Sequence, residues 1–215
     1  SDHEVNIKIL LNEKVRLGDM STLDRNNLLL EMTDSVAELV LHHNRRQTQA
    51  ISLAMHRSEQ QYAEYQRFMA WLESSGKLDR ELEFLPSDDQ LNDRLNRGQS
   101  VWTRPELAVL VCYSKVMLKD VLQGADLLED PILSRSVNQA FPPRLVELFA
   151  DEVSEHQLRR EIAATQLAND MVDRFGFTFF FRQMESTGAS AADIVRAFTI
   201  SVNILGVNDL WKMIE

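Results

Sequence analysis

Apolar residues recur along this chain at intervals of three and four and rarely alternate, so the pattern predicts helices from end to end. The clearest stretch is 104–123. There Leu107, Leu110, Val111, Met117, Leu118, Val121 and Leu122 fall on one side. The same reading places helices at 2–16, 23–41, 45–56, 59–75, 88–96, 131–139, 143–150, 154–175, 178–186, 190–204 and 208–215. Ser1 with Glu4, Ser58 with Gln61, Ser87 with Gln90 and Thr103 with Glu106 have the spacing of a capping box. In that motif the hydroxyl accepts the third helical N–H and the acid or amide reaches back. Ser190 with Asp193 is a weaker version. Pro105 and Pro131 suit a first turn, where a missing N–H costs nothing. Gly18, Gly76, Gly98, Gly124, Gly176, Gly188 and Gly206 each stand singly after an apolar stretch, the place for a left-handed C-terminal cap.

Two segments need arbitration. Phe175, Phe177, Phe179 and Phe181 alternate as in a strand, yet Phe177, Phe180, Phe181 and Met184 also share a helical face. Gly176 breaks the run, so a helix starting near Thr178 is favoured, with the rings forming a core knot where two helices meet. The stretch 76–103 carries Pro86, Asp88, Asp89, Asn92, Asn96 and Gly98 and reads as a loop with one short helix. The expectation is an all-α, multi-helix bundle of about 10–12 helices. It forms either one domain or two sub-bundles, 1–75 and 104–215, joined by a loop-rich connector at 76–103.

Composition supports this. Gly (7) and Pro (5) are too few for the many tight turns of a sandwich or barrel. The net charge of −10 lacks the basic footprint that nucleic acid or an anionic membrane requires, so neither is expected as a partner. One cysteine, Cys112, excludes an intrachain disulfide and a multi-cysteine metal site. Its apolar helical setting suggests a buried, inert thiol, and the cytoplasm is the expected compartment. No apolar run approaches the ~18 residues of a membrane span. The chain opens on a helix start and stops within the helical pattern Leu210–Glu215, which suggests a piece of a longer protein.

Candidate chemistry is sparse. No glycine-rich phosphate loop is present, so no dinucleotide site is expected in this segment. His3, His42, His43, His56 and His156 have no metal-ligand spacing. His42 and His43 read as histidines at a helix C-terminus, where the dipole favours them. Arginine outnumbers lysine 17 to 6, with dense spots at Arg45-Arg46, Arg104 and Arg159-Arg160. Arg159 or Arg160 is expected to clamp a carboxylate of another helix, or an anion. Only one can point inward, because helix neighbours diverge by ~100°. Thr165 and Asn169 share a face with Leu158, Ile162 and Val172, where buried polar groups need partners or form a polar pocket.

Six stretches carry a resemblance. They are Ser1-Asp-His-Glu-Val-Asn-Ile-Lys-Ile-Leu10, Asn44-Arg-Arg-Gln47, Thr103-Arg-Pro-Glu-Leu-Ala-Val-Leu110, Leu158-Arg-Arg-Glu-Ile-Ala-Ala-Thr-Gln-Leu-Ala-Asn169, Arg174-Phe-Gly-Phe-Thr178 and Glu185-Ser-Thr-Gly-Ala-Ser190. In order across the whole chain they resemble the C-terminal region of the large bacterial NAD-specific glutamate dehydrogenases. The resemblance implies a parent that oxidises L-glutamate to 2-oxoglutarate and ammonia with NAD. It places the catalytic and NAD-binding domains, with the catalytic lysine and aspartate, upstream of this segment. No catalytic residue carries over, and no cofactor or metal is expected in the fragment. One substrate-binding residue matches. Ser1 resembles the serine that opens the helix after the nucleotide domain and helps hold the substrate's side-chain carboxylate. The flanking residues differ, so a plain capping serine stays an equal reading. The segment is then expected to scaffold the catalytic domains, form contacts in a homo-oligomer, or relay regulation. The alternative is a free-standing helical interaction or small-ligand-sensing module. An exposed apolar face would mark the scaffold; a closed polar pocket around Thr165 and Asn169 would mark the sensor.

Overall fold

Three alanines mark the middle of the bundle. Ala163, Ala164 and Ala168 lie almost fully buried on a helix that also buries Ile162, Leu167, Met171 and Val172. Small side chains let neighbouring helices approach closely, so this helix is covered on most of its circumference. The computed structural model describes residues 1–124 and 135–214. Among them are twelve α-helices: α1 (Asp2–Leu17), α2 (Thr22–Glu31), α3 (Thr33–Arg57), α4 (Tyr62–Ser74), α5 (Asp88–Asn96), α6 (Arg104–Gly124), α7 (Pro143–Leu148), α8 (Ala150–Ser154), α9 (Arg159–Phe175), α10 (Phe179–Thr187), α11 (Ala191–Ile204) and α12 (Val207–Ile214). A 3-10 turn spans Arg135–Ala140. The described residues contain no strand, and the fold is all-α.

Helix α6 lies along α9, the 3-10 turn covers another side of α9, and α3 packs on both α6 and α9. The buried apolar residues form a core cluster that runs from Ile7 to Phe198. At its centre Phe177 meets Tyr65 and Phe68, with ring centroids 4.5 and 5.5 Å apart, and Phe181 meets Phe68 and Trp71. This is the phenylalanine knot expected from the sequence. Thr178 is the residue before α10, where the helix start was placed.

Local signals behaved unevenly. Ser87 and Gln90 form a reciprocal capping box, and Thr103 with Glu106 does the same. Gly18 and Gly188 close α1 and α10 in the left-handed conformation that glycine adopts without steric cost. Ser58 starts nothing: it ends α3, and its hydroxyl donates to the Met55 carbonyl at 2.7 Å. The break expected at 42–44 lies at Met32 instead. Residues 33–57 contain neither Gly nor Pro, so nothing interrupts α3, and His42 and His43 sit mid-helix rather than at a C-terminus. The predicted 154–175 helix starts only at Arg159, after a turn held by His156. Cys112 is exposed, on the flank of α6 away from Leu110 and Val111, because the buried stripe of that helix passes through Ser114. The predicted positions 131–134, with Pro131, lie outside the described residues.

The stretch 76–103 adds Leu78, Leu85, Leu91, Val101 and Trp102 to the core. One turn of it is strained. Phe84 has φ 54° while its side chain is 91% exposed, so no packing offsets the clash of its Cβ with its own backbone. Phe84→Gly is expected to raise stability by roughly 0.5–1 kcal/mol, measured as the denaturation midpoint in urea, since a left-handed position suits glycine. A lower midpoint would show that the ring has a stabilising contact.

Candidate functional site

Of the predicted residues, Thr165 and Asn169 line a cleft beside the first turn of α1, the helix that Ser1 opens. Ser1 is its N-cap, and the Ser1 hydroxyl accepts the Glu4 N–H at 3.4 Å. Beyond it the helix presents unpaired N–H groups and the positive end of its dipole. Backbone carbonyls and side chains fix this helix from the far side of the bundle. The His3 Nδ1–H donates to the Ala140 carbonyl at 2.6 Å. The Leu158 N–H donates to Nδ1 of His156, which leaves the ring hydrogen on Nε2, and that group donates to the Asn6 carbonyl at 3.1 Å. Lys14 pairs with Glu152. His3 and His156 are both almost wholly buried.

Nε2 of His3 faces Nδ1 of His43, on α3, at 3.2 Å. With one hydrogen of His3 committed to Ala140, a single hydrogen between the two rings satisfies both. His43 is held down to about 4, first by burial, then by the positive fields of His3, Arg46, His42 and Lys115. The pair borders a cleft of about 280 Å³ between α1, α3 and α9, lined also by Asp2, Thr165 and Asn169. Ser1 is not among the lining residues, although Asp2 and His3 are. The Thr165 hydroxyl donates to the Glu161 carbonyl on its own helix at 2.8 Å, so towards the cleft it can only accept, while the Asn169 amide can both donate and accept. Arg159 is exposed and Arg160 half-buried at the start of α9.

Two carboxylates farther along α9 are paired across helices. Arg46 donates to Asp170 at 2.8 Å, and Lys115 of α6 lies 2.7 Å from Asp173. Burial pushes the Asp173 carboxyl up, against the opposing pull of Lys115. The sequence marked Arg46 as part of an arginine-dense spot. It gave no sign of Lys115 or of the His3–His43 pair, because partners 58 and 40 positions apart leave no periodic trace. Among the described residues no group of three or more His, Cys, Asp or Glu is placed to hold a metal.

Residues 99–215 match the family model for the C-terminal part of glutamate dehydrogenase. This chain belongs to that family. Residues 1–54 match the model of the bacterial NAD-glutamate dehydrogenase catalytic domain. Over all 215 residues the chain is 51% identical to the NAD-specific glutamate dehydrogenase of Halomonas elongata, 50% to that of Pseudomonas aeruginosa and 36% to that of Mycobacterium tuberculosis. It spans 13% of the length of each relative. In this glutamate dehydrogenase segment, α1 and nearly all of α3 therefore lie in the catalytic-type match. The residues that fix α1 in place, Ala140, Glu152 and His156, lie in the C-terminal match.

A histidine lowered from 6.5 to about 4 ties stability to pH. The fold favours neutral His43, so its contribution is fully present above pH ~6.5 and is lost as the pH falls towards 4. The melting temperature of the parent should fall more steeply over that window than that of His43→Asn, which keeps a donor near Nδ1. The His43 Cε1–H resonance should titrate near 4. A midpoint near 6.5 with parallel melting curves would remove His43 from any acid response.

Proposed function

We propose that this chain is the C-terminal part of an NAD-dependent glutamate dehydrogenase. That enzyme oxidises L-glutamate to 2-oxoglutarate and ammonia, and the chain's role within it is to hold the substrate-carboxylate helix in place. The observation that carries the reading is the division of α1 from its tethers. The helix opened by Ser1 falls in the catalytic-domain match, and the groups that hold it fall in the C-terminal match. Ser1 and the first-turn N–H groups offer a carboxylate the donors and dipole end that it requires. The dinucleotide is bound upstream, by residues outside this chain, in keeping with the absence of a glycine-rich loop here. Family matches that stop at 54 and begin at 99 support a division into 1–75, a connector at 76–103, and 104–215. The enzyme works in the cytoplasm as a homo-oligomer whose contacts include this helical region. The acidic composition and lone cysteine support the compartment.

The test is steady-state kinetics of the full-length enzyme. Ser1→Ala should raise KM for glutamate about 10- to 150-fold, the equivalent of losing a ~1.5–3 kcal/mol hydrogen bond to a charged group, with KM for NAD unchanged. His156→Ala, which frees the Asn6 carbonyl, should raise the same KM by a smaller factor. An unchanged glutamate KM in Ser1→Ala would take Ser1 out of the site. NAD reduction by the 215-residue chain alone would overturn the upstream placement.

Arg160 is the half-buried member of its pair, and we assign it the clamp to a carboxylate of another helix. Arg160→Ala should then lower stability by ~3–5 kcal/mol and Arg159→Ala by no more than ~1. Equal melting temperatures for both variants would leave that helix start merely solvated.

A further inference from the structure

The cleft beside His43 gathers polar groups that hold nothing in place. It is distinct from the larger cavity, of about 690 Å³, between the second half of α3, the start of α4 and the corner where α9 turns into α10. Four carboxamides line the cleft: Asn6 of α1, Gln47 of α3, and Gln166 and Asn169 of α9. None of the four makes a side-chain hydrogen bond among the described residues. Gln166 is the most buried, at 7% exposed, and native structures rarely leave a buried amide without a partner. Successive positions of an α-helix turn by ~100°, so Gln166 and Asn169 project within about 60° of each other, on the cleft side of α9 with Ile162.

The walls are short of donors. His3 gives its hydrogen to the Ala140 carbonyl, so the hydrogen between the two rings is that of His43 Nδ1, and His43 keeps a bare Nε2. The Thr165 hydroxyl gives its own to Glu161 and is likewise left to accept. Two exposed carboxylates stand at the mouth, Asp2 and Glu161, and neither pairs with a cation among the described residues. Asp2 offsets the positive end of α1, which leaves the charge of Glu161 uncompensated. No described Lys or Arg lines the cleft. Apart from the carboxamide NH2 groups, the free side-chain groups are acceptors, and one carries an unmatched negative charge.

We propose that this cleft binds a short-chain primary amine that carries a second N–H or O–H donor. The ammonium sits against Glu161 and the Thr165 hydroxyl, neighbours four positions apart on α9. Helices α3 and α9 run in the same direction here, since Arg46 meets Asp170 and the residues beyond each line the larger cavity. His43 and Gln166 therefore stand at one level. A second donor one helical turn past the ammonium, about 6 Å along α9, meets the carbonyl oxygens of Gln166 and Asn169 and the bare Nε2 of His43, and a chain of about four carbons spans that turn. The volume of about 280 Å³ suits a molecule of that size. An ammonium directs its three N–H groups to separate acceptors, whereas a guanidinium fork matches a single carboxylate presented in plane. Ser1 does not line the cleft, so its occupancy does not depend on the dehydrogenase reading.

The experiment is hydrogen exchange of the full-length protein, read by mass spectrometry, with 1,4-diaminobutane and 4-amino-1-butanol as probes. Either should slow exchange in peptides covering 2–6, 43–47 and 161–169, and the one effective at lower concentration identifies the second donor. 1,4-Butanediol, which lacks the charge, and succinate, which reverses it, should be at least about tenfold weaker, the loss of one charged hydrogen bond. Glu161→Gln, on an exposed residue with no ion pair to lose, should raise the half-protecting concentration about tenfold or more without moving the melting temperature. Gln166→Met should raise it likewise, and should not lower the melting temperature, because the amide it removes has no partner. Protection that butanediol gives equally, or that both variants keep, would mean a solvated groove and no amine site. Protection confined to other parts of the protein would mean a general attraction to an acidic chain and overturn the proposal, as would the absence of protection by either amine.

Discussion

Asp170 and Asp173 sit on the helix that the rest of the bundle surrounds, and a carboxylate removed from water must meet a cation. Arg46 reaches Asp170 from α3, and Lys115 reaches Asp173 from α6. The buried alanines of α9 let its neighbours come close, but a smooth alanine surface offers little resistance to sliding or rotation. The two ion pairs act at fixed points on three helices and so set their register. Burial raises Asp173 even with Lys115 beside it, so desolvation outweighs the pull of the cation there. Such pairs add less to net stability than their distances suggest. What they penalise is any arrangement that leaves one partner alone.

Around this frame α1 is held through its backbone. Ala140 accepts from a histidine of α1, and a histidine after α8 donates to the carbonyl of Asn6. These bonds fix the axial position of the helix, which apolar contacts of Ile7, Leu10 and Leu11 alone leave loosely defined. The family matches on either side share this core, since Ile7 and Leu11 belong to the same cluster as Ile162 and Met171.

The sequence revealed what is local. The α6 stripe was legible because six of its seven predicted positions are buried, and α5 because Ser87 and Gln90 state both halves of a cap. Thr178 was legible because Gly176 breaks the competing strand reading. Failures arose where a local sign had a tertiary meaning. Ser58 has the spacing of a cap but lies where α3 ends, and Cys112 has apolar neighbours yet occupies the outer flank. Of the site, the Ser1 helix start and the arginine-dense spot at Arg46 could be read in advance. His3 with His43 and Lys115 with Asp173 could not, because only the folded chain brings them together.

Helix α3 joins the two hollow regions. It runs 25 residues without a glycine or proline, a rod of roughly 37 Å with no hinge. His43 faces the cleft beside α1, Arg46 stands one turn farther on, and Leu53 and Arg57 line the larger cavity. Arg46 lines only the larger cavity, yet its charge is one of those that keep His43 neutral. A second proton between His3 and His43 leaves two donors facing each other, which weakens the bond from α3 to the first turn of α1. The first turn of α1 is thus tied to α3 by a bond that holds only while His43 stays neutral, and Arg46 on the same rigid helix helps to keep it so.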